Sequence, residues 1–136
     1  MPTEIVKPVD IADVVQSGLN ALGVTACAEP LPRDLAGSVP ITLVQPMGAG
    51  IRTDRVLDRF AVMLYTWGES HADAADAANV AHAALEALEG AVVDGVQLYR
   101  IQTTALPYPA FDPDHQDLAR ACSTAYVFAR AMTTNL

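Results

Sequence analysis

The chain has 136 residues, 51% apolar and 18% charged, and its 16 acidic against 8 basic side chains leave a net charge of −8 at pH 7. That is one domain over 1–136, apolar enough to fold around its own core, and its acidic balance argues against gripping nucleic acid by the phosphates or binding an anionic membrane surface. No apolar run reaches the roughly 18 residues of a membrane span, and Met1-Pro2-Thr3-Glu4 lacks the basic start of a secretory leader, so a cytosolic chain is expected, with Cys27 and Cys122 as free, buried thiols.

In chain order, Pro8-Val9 leads into Asp10, which can cap a first helix. Asp13 stands at its third position, Ile11, Val14, Val15, Gly18, Leu19 and Leu22 recur at helical spacing, and Gly23 stops it. From Val24 to Ser38, Pro30, Pro32 and Gly37 predict an extended connection with a short edge strand near Val24 to Ala28. Val39 to Gln45 reads as a strand. Pro46-Met47-Gly48-Ala49-Gly50 is expected to bend or end it, because proline donates no ladder hydrogen bond. Ile51 to Val56 extends the flanking strands into a hairpin and gathers Arg52 and Arg55, with Arg59 just beyond. These three arginines are the candidate protein-contact residues, against the plainer reading of a solvated loop with local Asp–Arg pairs.

Arg59 to Trp67, β-branched and aromatic with no charge after Arg59, predicts a central strand apolar on both faces. An alanine-rich helix follows from Ser70 to Glu89, where Ser70 and Asp73 form an S-x-x-D box. Ala74, Ala77, Ala81, Ala84 and Leu88, with Val80 and Leu85, are assigned to its packed face, and Asn79, His82, Glu86 and Glu89 to the wet one. Gly90 ends this helix, Asp94-Gly95 is a turn, and Val96 to Thr104 is the next strand. Leu106 to His115, with Pro107, Pro109 and Pro113, is expected to be a polyproline-like connection. Leu118 to Arg130 reads as a long strand with Cys122, Thr124, Tyr126 and Phe128 on one face and small residues on the other. Met132 to Leu136 is expected to fray.

Little in this pattern points to chemistry. His71, His82 and Glu86 could in principle hold a metal, but a wet helix face accounts for the same residues. Asp112, Asp114, His115 and Asp117 crowd oxygen ligands into one loop without the glycine that a calcium loop needs. No G-x-S-x-G, G-x-x-x-x-G-K-[ST] or H-E-x-x-H motif occurs, and Gly48-Ala49-Gly50 does not continue into a dinucleotide fingerprint. No catalytic residue, cofactor site or metal site is assigned, and the chain is not expected to be an enzyme.

With its elements in this order the chain resembles the tail terminator, or tail completion, proteins of long-tailed bacteriophages. The likeness rests on the capped helix ending at Gly23, the strand Val39-Pro40-Ile41-Thr42-Leu43-Val44 followed by glycines, and the strand Phe60 to Trp67. The alanine-rich helix and the proline-rich approach to a strand closing on Val127-Phe128-Ala129-Arg130 complete it. The resemblance implies an α+β fold, a mostly antiparallel sheet flanked by helices. It further implies a homo-oligomeric ring, usually a hexamer, at the head-proximal end of the virion tail, assembled in host cytoplasm. The major tail tube protein and head-tail connector proteins would be its partners, with genomic DNA sliding through the lumen unbound. On that reading, acidic side chains face the lumen, Arg52, Arg55 and Arg59 face a neighbour or the tube, and a neighbour covers the edge near Val24 to Ala28. The alternatives are a neck or head-closure protein of the same region and a small-molecule or metal-binding α+β module.

Overall fold

The computed structural model describes residues 3–136. Its elements are β1 (Glu4–Lys7), α1 (Ile11–Ala21), β2 (Ala26–Cys27), a 3-10 turn (Ala36–Ser38), β3 (Ile41–Arg52), β4 (Leu57–Gly68), α2 (His71–Ala87), β5 (Val92–Val93), β6 (Val96–Pro109), β7 (Ala119–Arg130) and β8 (Met132–Asn135). Both helices start where a side chain replaces a missing backbone partner: Asp10 accepts from the Asp13 amide at 3.3 Å, and Ser70 Oγ from the Asp73 amide at 3.1 Å. Six strands form one sheet in the order β2-β3-β4-β7-β6-β5, and β1 pairs with β8 in a separate two-stranded ribbon. All pairings are antiparallel except β2 with β3. The class is therefore α+β with a mostly antiparallel sheet. Although α2 connects β4 to β6, these strands are not neighbours, because β7 lies between them as in a split β-α-β unit.

Several local expectations are corrected, and two of the corrections share a cause. β3 does not turn at Pro46 to Gly50 but runs on to Arg52, with a register shift between Met47 and Ile51. The Thr42 amide donates to Thr25 O at 2.9 Å, away from β4, so two residues further along Val44 and then Pro46 direct their amide positions to that same outer side. Proline there forfeits no bond to β4. The expected polyproline segment likewise begins as strand, since β6 reaches Pro109. Because the Ala110 amide bonds to Arg120 O at 2.9 Å, the amide position of Pro109 points away from β7. Both prolines occupy outward sites of edge strands, where they blunt further pairing. The edge strand expected over Val24 to Ala28 is only the two-residue β2. The segment expected to fray is β8, in register with β1 from Lys7↔Met132 to Glu4↔Asn135.

The two helices cover the same face of the sheet. Ile11, Val15 and Leu19 of α1 meet Val44, Val62 and Leu64, while Ala81, Leu85 and Leu88 join Leu98, Ala125, Val127 and Ala129 in one apolar cluster. Small residues set the spacing: a Cβ on Gly18 would lie 2.7 Å from Leu88 Cδ1, and one on Gly68 would lie 2.6 Å from the Ala74 nitrogen. The face assignment of α2 needs three changes. Val80, placed on the packed side, is 56% exposed, whereas His82, placed on the wet side, is 2% exposed. Ala78 also turns inward, in place of Ala77, which is only half-buried.

Candidate functional site on the uncovered sheet face

The strand alternation that points Val62, Leu64, Ala125 and Val127 at the helices points Arg59, Met63, Tyr65, Tyr126 and Phe128 the other way. One end of this second face is closed. Leu31, Leu35 and Val39, from the connection between β2 and β3, pack with Ile41, Leu43 and Trp67 in a smaller apolar cluster. The loop after β6 adds a polar lock. Asp112, 4% exposed, accepts from Trp67 Nε1 at 2.9 Å and from the Asp114 amide at 3.0 Å, and lies 2.8 Å from His115 Nδ1. Arg120 reaches the same carboxylate at 3.9 Å, donates to Ala110 O and Phe111 O, and stacks 4.2 Å above the Tyr65 ring. Burial pushes the Asp112 carboxyl up, but the Trp67, His115, Asp114 and Arg120 donors and charge outweigh it and hold the acid below its usual range.

The other end of that face has no helix over it. In cross-strand register Arg59 lies beside Phe128, and Phe128 beside Arg100, so two arginines flank one aromatic side chain across three strands. Strand spacing of about 4.8 Å puts the two arginine Cα atoms roughly 10 Å apart. The Arg59 guanidinium sits 4.2 Å above the Tyr126 ring, and its Nε is buried without a hydrogen-bond partner. Arg130, two residues beyond Phe128, is exposed and meets the exposed Tyr99 hydroxyl at 3.4 Å. Among the described residues none of Arg59, Arg100 and Arg130 has a carboxylate partner. The surface is aromatic, apolar and cationic within an acidic chain.

The three arginines expected to form one contact surface are separated. Arg52 Nε and Nη2 hold Asp58 Oδ1 and Oδ2 at 2.6 and 3.0 Å, a two-point pair on the helix-side face. Arg55 is exposed in the turn between β3 and β4, and Arg59 projects from the opposite face to Arg52. Arg100 and Arg130 are isolated in the sequence, and the one signal for them there is the alternation of β7, which puts Arg130 on the side of Tyr126 and Phe128.

The metal candidates do not converge. His82 Nδ1 lies 2.9 Å from Ser123 Oγ and Nε2 2.8 Å from Thr103 Oγ1, whose hydroxyl donates to Glu86 Oε2 at 3.3 Å. With the Thr103 hydrogen spent on Glu86, Nε2–H donates to Thr103 and Nδ1 accepts from Ser123, a neutral imidazole with both nitrogens used. Burial lowers its pKa, against a smaller upward pull from Glu86. Ser123 is itself 2% exposed, so this serine–histidine contact has no route to substrate. His71 lies at the exposed start of α2, Asp112 is engaged as described, and no group of three potential ligands occurs among the described residues. Cys122 is buried and Cys27 half-buried, both unpaired. No helix among the described residues is long and apolar enough to cross a membrane. Compared with known proteins, the chain matches no family model and no curated protein at a significant level.

Proposed function

We propose that this chain is a structural subunit of a long-tailed bacteriophage: a tail terminator that closes into a ring, hexameric as in the family it resembles, on the head-proximal end of the tail tube. There it stops tube growth and presents the surface to which head-tail connectors dock. The reading gives the protein no catalytic role. The observation that carries it is the half of the sheet that no helix covers, where half-buried Met63, Tyr126 and Phe128 lie beside arginines without carboxylate partners.

Mass photometry and negative-stain electron microscopy, with and without tail tube protein, test the proposal. Closed rings, or capped tubes of defined length when tube protein polymerises in its presence, are expected. A chain that stays monomeric at high concentration and leaves tube growth unlimited overturns it.

A further inference from the structure

We infer that the cationic end of the uncovered face, Arg59, Arg100 and Arg130 around Phe128, is one half of a head-to-tail contact. Its occupant is a second copy of this chain, presenting the acidic groove between the start of α1 and the outer edge of β3. This deepens the ring reading and rests on it. The groove has a volume of about 650 Å³ and is lined by Asp10, Asp13, Gln16, Glu29, Gln45 and Pro46 among others. Asp10, Asp13 and Glu29 are exposed, and none of them has a basic partner among the described residues.

Three arguments select this occupant. The cationic face is a poor partner for itself, since an isologous contact would bring two arginine-bearing patches together with no carboxylate between them. The groove lies on the helix side of β3 and the cationic patch on the opposite sheet face, so their union is heterologous, the type of contact that builds a ring when its rotation closes and an open filament when it does not. Finally, the patch has no carboxylate partner of its own, and a second copy brings the unpaired Asp10, Asp13 and Glu29 carboxylates to the place that lacks them. Carboxylates also suit the chemistry. A guanidinium held 4.2 Å above the Tyr126 ring beside the exposed Arg100 and Arg130 suits a carboxylate partner. Pro46 at the groove's rim removes the outward amide there, so the contact is made by side chains rather than by extending the sheet.

Charge exchange in the full chain tests the pairing. Arg100→Glu/Arg130→Glu and, separately, Asp13→Lys/Glu29→Lys should each melt near wild type yet associate at least about tenfold more weakly in sedimentation velocity. The chain carrying all four substitutions should regain association. Arg100→Ala/Arg130→Ala, which introduces no repulsion, should fall between wild type and the reversed pair, and serves if the reversal unfolds the protein. Either double reversal assembling as wild type does, or a fourfold variant as weak as the doubles, overturns the pairing. So does binding of a duplex DNA probe by wild type at about 0.15 M salt that Arg100→Glu/Arg130→Glu removes, which assigns the patch to nucleic acid. Closed wild-type rings that the variants leave unchanged remove this contact and keep the terminator reading. Association that the exchange abolishes and restores, but that yields only open chains or dimers, keeps the contact and removes the ring.

Discussion

At the scale of single residues, two buried polar groups set the acid sensitivity of the fold by different routes. His82 has a folded pKa below its unfolded value of about 6.5, so the unfolded chain binds the extra proton and stability rises with pH through that window. Stability should be complete above about pH 6.5 and decline as pH falls toward the folded pKa. His82→Leu should cost about 1–3 kcal/mol at pH 8 by stranding the buried Ser123 hydroxyl, and should flatten this part of the profile in thermal melts. Asp112 acts lower. Its folded pKa is depressed, so its contribution is present above the unfolded value of about 3.9 and is lost as pH falls through the folded one. Asp112→Asn should therefore destabilise by about 1–3 kcal/mol at neutral pH, with the gap to wild type closing below about pH 4. The hairpin arginines should separate as well. Arg52→Glu sets a second carboxylate against buried Asp58 and lowers the melting temperature, whereas Arg55→Glu leaves it unchanged.

At the scale of elements, the sheet and helices depend on close approaches that only small residues allow. A Cβ on Gly68 meets the backbone of Ala74 and its neighbour, which cannot move without displacing the start of α2; a Cβ on Gly18 meets the flexible end of Leu88. Gly68→Ala should cost about 1–3 kcal/mol and Gly18→Ala distinctly less, a ranking that chemical denaturation can read. The edge prolines offer a complementary test. Pro46→Thr restores an outward amide to an exposed strand, so the variant should fold with wild-type spectra yet aggregate faster on agitation, as light scattering would detect.

For the whole molecule, the distribution of charge matters more than its sum. Assembly through a cationic face and an acidic groove should weaken steadily as salt rises from 0.05 to 0.5 M on the order of a Debye length falling from roughly 14 to 4 Å. Association driven by the apolar part of the face alone would hold or strengthen over the same range. Sedimentation across a salt series distinguishes the two, and the same series with duplex DNA should show no binding if the lumen is acidic.

What the sequence by itself determined was local. The Asp10 and Ser70 caps, the Asp94-Gly95 turn, with both residues at positive φ, and the small-versus-large alternation of the last strand all follow from steric and hydrogen-bonding preferences within a few residues. Tertiary structure decided the remainder, because each such feature depended on what lay across from it. Pro46 and Pro109 sit in strands because their missing amides face no partner strand. His82 is buried because Ser123 and Thr103, far away in sequence, satisfy both its nitrogens. Met132–Asn135 is a strand because β1 supplies the opposing edge. The candidate surface was hidden for the same reason: Arg59, Arg100 and Arg130 come from three strands, and only the register of β4, β7 and β6 brings their charges together around Phe128.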